Sequence, residues 1–382
     1  MSVLSGIRVV EFGGIGPGPY CCMLLADMGA EVVRVERTTV VGCDAVAPQF
    51  NTMLRGQRSV ALDLKQAGGR DAALRLCDGA DIVIEGFRPG VMESLGLGPE
   101  VVLARHPAVV YGRMTGWGQT GPLADTPGHD INYIALTGAL HAIGTAAQGP
   151  VPPLILAGDF GGGGAYLAIG VLAAYIEAKR TGQGQIVDAA IVDGAAASMT
   201  AFYGMLAAGS VVEQRESNPL DGGSHFYNTY ETRDGGYISI AAIEPKFYAR
   251  LLQLLGLSGA DYAQNDRVHW QEHRVTFANI FKQKTRGEWT GLLQQEELCF
   301  APVLSMSEAP SHPHLAARNS FVNIGGVVQP APAPRFSRTA SQVKSAPAFA
   351  GQHTVAELAD CGLGQSTIDS LLKSGAARQR EE

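Results

Sequence analysis

Short apolar runs rich in β-branched residues punctuate the first part of the chain, at Ile7 to Phe12, Glu31 to Glu36, Asp81 to Glu85 and Val109 to Gly112. Between them lie stretches with helical spacing of apolar positions, such as Tyr20 to Met28 and Gly68 to Leu76. Strands alternating with helices predict right-handed βαβ units on a parallel sheet, an α/β fold. Residues 113–157 lose that rhythm. They are rich in Gly and Pro and predict an elaborate loop with a short helix around Ile131 to His141; loops held on a rigid scaffold are where sites are usually built.

The pattern then predicts a long helix from about Phe160 to Thr181, a strand from Gln185 to Ala189 and a helix from Ile191 to Ala208. A strand at Tyr237 to Ala241 and two or three helices between Pro245 and Leu298 suggest a smaller α+β unit. A Pro-rich connector from Gln329 to Phe336 reads as stiff and extended. Helices at Thr354 to Cys361 and Gln365 to Ser374 close the chain.

Composition narrows the class. The 382 residues are 46% hydrophobic and 17% charged, as in an ordinary globular protein. A net charge of -7 argues against a general nucleic-acid binder, which needs a basic face to displace counterions. The six cysteines lack CxxC spacing, so they read as reduced thiols and not as a zinc site or disulfide framework. Met1 to Arg8 has no basic-then-apolar signal pattern, and Ala165 to Ala178 looks too short and too polar to span a bilayer. A cytoplasmic protein with no membrane insertion is expected.

Three clusters carry candidate chemistry. Gly14-Ile15-Gly16-Pro17-Gly18-Pro19 after the first strand, with Glu36 ending the second, caricatures a dinucleotide fingerprint. Pro17 and Pro19 remove two N–H donors that a pyrophosphate would need, so a tight strand-to-helix turn is the better reading. Arg34, Arg37, Arg55, Arg58, Lys65 and Arg88 lie near strand ends and suggest an anion clamp, since guanidinium grips phosphate in bidentate fashion. The third cluster pairs His129 in Gly128-His129-Asp130-Ile131-Asn132-Tyr133 with Asp159 in Gly158-Asp159-Phe160-Gly161-Gly162, thirty residues on. A histidine and a carboxylate suit a reaction that removes a proton from one face of a carbon and returns it to the other. Alone, each has a plainer role: His129 as a surface residue, Asp159 as a helix N-cap, Asp130 as a partner holding the loop.

Val9-Val10-Glu11-Phe12 through Gly16-Pro17-Gly18-Pro19, Ala26-Asp27-Met28-Gly29-Ala30-Glu31 and on to Glu36, Glu85-Gly86-Phe87-Arg88-Pro89-Gly90-Val91 and Gly116-Trp117-Gly118-Gln119-Thr120-Gly121-Pro122 resemble the family III CoA-transferases. Within that superfamily, the His129 and Asp159 motifs and Ala242-Ile243-Glu244-Pro245 look most like the α-methylacyl-CoA racemases. The likeness runs from about residue 5 to about residue 340.

The resemblance implies an acyl-CoA substrate, with CoA as part of the substrate and no separate cofactor or metal. It assigns Arg37 to the CoA phosphates, and Leu62, Asp63, Leu64, Lys65, Gly86, Phe87 and Arg88 to the nucleotide. Gly128, Asp130, Ile131, Asn132 and Tyr133 join them around the substrate. Ser94 departs from a basic CoA contact of some relatives. The implied architecture is an interlocked homodimer with a Rossmann-like large domain built from both ends of the chain. Residues 1–190 would form its N-terminal part, 191–224 a helix and linker, 225–310 the small α+β domain, and 311–382 the return linker and C-terminal part. Glu244 of one chain would then reach His129 and Asp159 of the other.

In the racemase reading His129, supported by Glu244, and Asp159 are the two acid/base groups on an enolate intermediate. An imidazole titrates near neutrality, and a dry pocket can raise a carboxyl towards the same range. The start of the glycine-rich helix at Asp159 is a candidate oxyanion site. The alternative is CoA transfer with Asp159 as nucleophile, a chemistry with no need for His129; a non-catalytic CoA- or NAD-binding module is the third reading. Met199, Met205 and Met306 could present an adaptable apolar surface to the acyl group, whose identity the sequence leaves open.

Overall fold

The computed structural model describes residues 2–43 and 46–381. The chain divides into two compact units, one of Met1–Ile134, Leu154–Ser198 and His314–Glu382, the other of Ala135–Pro153 and Met199–Pro313. Residues 135–153, expected within the large domain, belong to the smaller unit.

In the larger unit the apolar runs become strands β1 (Arg8–Phe12), β2 (Glu31–Glu36), β3 (Gln57–Leu62), β4 (Ile82–Glu85), β5 (Val110–Thr115) and β6 (Ile186–Ala190). They pair in the order β3-β2-β1-β4-β5-β6, all parallel, and the two-residue strand Ala377–Arg378 closes the β3 edge antiparallel. Both faces are covered, which is why the runs are continuously apolar and do not alternate with polar residues. Val10, Phe12, Val33 and Leu62 enter one core layer with Leu76 of the helix Ala67–Asp78 and with Leu358 and Ile368 of the C-terminal helices. Val9, Val32, Ile82 and Ile84 enter the opposite layer with Cys21 and Leu25 of helix α1 (Pro17–Asp27) and with Leu167 and Val171 of a long helix described below. Each such side chain buried contributes about 1.5–3 kcal/mol.

Strand β3 has no counterpart in the apolar pattern, because Gln57, Arg58 and Ser59 interrupt it. Two of its polar positions find partners far along the chain: Arg58 pairs with Glu357, and Ser59 accepts from the Gly351 N–H at Oγ (2.9 Å) and from the His353 N–H at its carbonyl (2.9 Å). The return of the C-terminal segment therefore completes the sheet.

The long helix also differs from expectation. It runs from Leu156 to Thr181, 26 residues, long and apolar enough by length and composition to cross a membrane. Leu167, Val171, Ala174 and Ala178 are spent on the sheet, giving one face the role of a core helix. The helix predicted over 191–208 breaks into Ile191–Ser198 and Thr200–Ala207, with the division between units at the break.

The smaller unit holds an antiparallel sheet of β7 (Tyr227–Glu231), β8 (Tyr237–Ala241) and β9 (Phe300–Val303), with β8 central. The apolar pattern marks only β8; its neighbours are edges, and Pro302 is tolerated there because an edge strand leaves an N–H unpaired anyway. Ile238 and Ile240 pack on Leu251, Phe277, Phe281 and Trp289 from the helices Pro245–Leu255, Trp270–Phe281 and Arg286–Leu293.

Candidate active site

A cavity of about 560 Å³ opens at the C-terminal ends of β1, β4 and β5 in the larger unit. The strand order reverses between β1 and β4, and open α/β sheets hold ligands at such a switch point. Its walls come from Gly14 to Pro19 after β1, Gly86, Phe87 and Arg88 after β4, Gly116 and Trp117 after β5, and Gly128, His129, Tyr133 and Asp159. The Gly14–Pro19 turn, expected only as a tight connection, is thus part of the site. Gly16 has a φ of 72°, and a Cβ there would lie 2.8 Å from Asp159 Oδ2, so the turn has to be glycine for the carboxyl to reach it.

His129 stands immediately before helix α2 (Asp130–Ala135). Its N–H donates to Asn132 Oδ1 at 3.0 Å, and its carbonyl accepts from the Asn132 N–H at 2.8 Å. The Tyr133 hydroxyl donates to the Gly128 carbonyl, and Trp117 meets the Tyr133 ring edge-on at 4.8 Å. These contacts hold the backbone and leave the imidazole exposed to the cavity. Asn132 therefore serves the loop, and neither its side chain nor the exposed one of Ile131 lines the cavity.

Asp159 sits in an unusual stretch. Leu156–Ala165 is π-helical, with the Phe160 N–H bonded to the Ile155 carbonyl at 3.1 Å, and it passes into the α-helix Tyr166–Thr181. Such wide turns are rare and often mark functional positions. The glycine run permits it to pack tightly: a Cβ on Gly162 would lie 2.6 Å from the Ala195 nitrogen, and one on Gly164 2.5 Å from the Pro17 carbonyl oxygen. The Asp159 N–H does not form the oxyanion site expected at the start of this helix. The helix begins three residues earlier, at Leu156, and the Asp159 N–H is already donated to Asp130 Oδ2 at 2.7 Å. The first-turn N–H groups of α2, from Asp130 on, have no acceptor inside that helix, as at any helix start.

Electrostatics separate Asp159 from an ordinary surface acid. Burial raises its pKa to about 6, the negative charge of Asp130 pushes in the same direction, and His129 pulls against them. Tyr133 is also held above its usual range, by burial and then by the Asp159 charge.

The basic cluster splits. Arg34 pairs with Glu36 at 2.8 Å, Arg58 with Glu357, and Arg55 makes a buried two-point pair with Asp27 at 2.6 and 3.0 Å. These three are structural and are not an anion clamp. Arg37, Lys65 and Arg88 are exposed and have no ion pair among the described residues, and Arg88 lines the cavity. Leu62 is buried in the core, so only its backbone can face a ligand, and Asp63 is turned inward to its own turn, accepting from the Lys65 N–H at 3.1 Å and from Gln66 Nε2 at 3.0 Å. Glu36, the acid a nicotinamide dinucleotide would need for its ribose, is occupied by Arg34 and by the Ser59 hydroxyl. Glu244 precedes the helix Pro245–Leu255 in the smaller unit; its side chain is exposed and does not cap that helix. Among the described residues no cluster of three His, Cys, Asp or Glu is placed to hold a metal.

Residues 4–354 match the family described as CoA-transferase family III. The chain is 43% identical over 373 residues to the alpha-methylacyl-CoA racemase of Mus musculus, covering 97% of this chain and 96% of that protein. It is 40% identical to the Homo sapiens protein of the same name, covering 96% of each. A CAIB/BAIF family protein from Brucella suis superposes with a TM-score of 0.82 at 26% identity, covering 94% of this chain and 99% of that one. The chain belongs to CoA-transferase family III.

Proposed function

We propose that the chain inverts the C2 centre of 2-methylacyl-CoA thioesters. One observation carries the reading: two side chains able to exchange protons, His129 and Asp159, face one cavity, and Asp159 is raised to about 6, towards the range where an imidazole titrates. The likeness to racemases along nearly the whole chain supports the same choice over CoA transfer.

The chemistry follows from those two groups. A neutral imidazole or an ionised carboxylate takes the α-proton, the C–H electron pair moves into the thioester carbonyl as an enolate, and the opposite group, protonated, returns a proton to the other face. The bases end the turnover with their protons exchanged, so the chain accepts either configuration. Backbone N–H groups opening α2 are suited to steadying the enolate oxygen. Arg37, Lys65 and Arg88, the cations of that cluster without an ion pair among the described residues, are suited to the CoA phosphates. Glu244, whose exposed side chain does not cap its own helix, is offered to the His129 of a second copy in an interlocked dimer. The free cysteines fit a reducing compartment such as the cytoplasm.

The test is incubation of a single-configuration 2-methylacyl-CoA with the protein in heavy water. Deuterium at the α-carbon with loss of configuration is expected. Transfer of CoA to a labelled free acid, with Asp159 trapped by hydroxylamine and no α-exchange, would replace this reading with the nucleophilic one.

A further inference from the structure

Asp130 stands beside His129 in sequence, yet its side chain is turned away from the cavity. It is 3% exposed, Oδ2 accepts the Asp159 N–H at 2.7 Å, and Oδ1 has no partner. Gly158 makes this approach possible, because a Cβ there would lie 2.4 Å from Asp130 Oδ2 and 2.8 Å from its Cγ. At the start of a π-helix, the N–H groups up to the first i to i−5 bond have no partner within the helix. Asp130 therefore caps the last of these, at the residue that carries the proton.

We propose that Asp130 is the positioning residue of Asp159, and that its negative charge, as well as its hydrogen bond, is used by the proton transfer. A carboxylate with one unpartnered oxygen in a buried place is poorly screened, so its field at the neighbouring carboxyl is strong. The direction is useful. A two-base reaction leaves Asp159 protonated for half of its cycle, and an acid of ordinary strength would hold that proton too loosely; Asp130 and burial together raise Asp159. His129 opposes them, and Tyr133 and Arg88 share the cavity. The elements packed on the π-helix add Tyr20, Cys21 and Cys22 from α1, Asp193 from Ile191–Ser198, Asp188 from β6 and Arg113 from β5, the last held by Glu85 and Glu93. Burial, Asp130 and His129 set the Asp159 balance.

The kinetic effects expected of Asp130 rest on the racemase reading and the titration does not, so the experiment uses both. Asp130→Asn keeps an acceptor oxygen and the volume while removing the charge. The Asp159 carboxyl, followed in the ligand-free protein by infrared difference against Asp159→Asn, should titrate at lower pH in this variant, by about 0.5 or more. The acid limb of kcat should move with it. Asp130→Ala and Gly158→Ala should each lower kcat about 100-fold, with KM for the CoA thioester changed less than about threefold, as expected when a reacting group is displaced. An unmoved Asp159 titration in Asp130→Asn overturns the electrostatic role. Normal kcat in Asp130→Ala overturns the positioning role, as does a raised KM with kcat intact, which would make Asp130 a substrate contact. A wild-type protein that exchanges no α-proton sinks the racemase reading and leaves the titration result standing.

Discussion

Two carboxyls near one cavity have both been pushed towards neutrality, and they teach opposite things. Burial is the first cause for each, raising Asp159 to about 6 and Glu11 to about 7. Asp159 is half-buried, faces the cavity, and is balanced between Asp130 and His129. Glu11, next to last in β1, borders the same cavity but is 1% exposed, and neither oxygen meets an N–H or O–H donor; the Cys22 thiol beside it is a weak one. Arg34, which could have neutralised it, is drawn to Glu36. A perturbed carboxyl is a sign of function only when something can reach it.

The strongest way to break that contrast is to neutralise each acid. Asp159→Asn should lower racemisation by about 10³-fold or more, since one of two proton-transfer groups is gone, with little change in thermal stability. Glu11→Gln should retain turnover. Loss of turnover in Glu11→Gln with a normal fold would show that the closed acid serves the reaction after all.

The same division runs through the arginines. Arg55 and Asp27 form a two-point pair with side chains 4% and 2% exposed, and Arg55 also donates to Gln329 and the Pro330 carbonyl. Arg55→Ala strands a buried carboxylate, so unfolding by denaturant should show a loss of about 3–5 kcal/mol. A loss below about 1 kcal/mol would mean that water reaches Asp27 in the folded chain.

Glu11 adds a pH dependence of opposite sign to that of a salt-bridged acid. Its folded pKa lies above the ordinary 4.5, so the folded chain binds the proton more tightly than the unfolded one. That contribution is complete below about pH 4.5 and is lost as pH rises through about 7. Glutamine cannot ionise, so Glu11→Gln should match the parent in acid and become more stable than it by on the order of 3 kcal/mol at about pH 8. Parallel Tm profiles from about pH 5 to about pH 8 would show that Glu11 stays protonated throughout or finds a partner.

Much of this contrast is legible in the amino-acid sequence, and the missing part has a physical reason. His129, Asp159 and the parallel sheet can be read there because local runs and glycine-flanked motifs encode them. The commitment of Arg34, Arg55 and Arg58 cannot, since their partners are set by strand register and by the distant segments at Gln329 and Glu357. Strand β3 is hidden by Gln57, Arg58 and Ser59, and Ser59 finds partners at Glu36 on the neighbouring strand and at Gly351 and His353 far along the chain. The turn of Asp130 towards Asp159 spans 29 residues and depends on a π-helix, whose wider spacing leaves no periodicity distinct from an α-helix over its 10 residues.

The open arginines give the smallest and most discriminating effect. Arg88 lines the cavity without an ion-pair partner among the described residues and Arg37 is exposed at the end of β2, so neither contributes a buried pair whose loss would unfold the chain. Their positive charge is available to a polyphosphate. Arg88→Ala and Arg37→Ala should each raise KM for a CoA thioester about 10-fold, roughly the value of one charge-assisted hydrogen bond, with kcat and Tm nearly unchanged. The loss should shrink in high salt, where exposed charges are screened. A variant of either residue that loses stability while KM stays fixed would move that arginine to the closed class with Arg55, and the CoA phosphates would then need another cation, with Lys65 the next free one at this edge of the sheet.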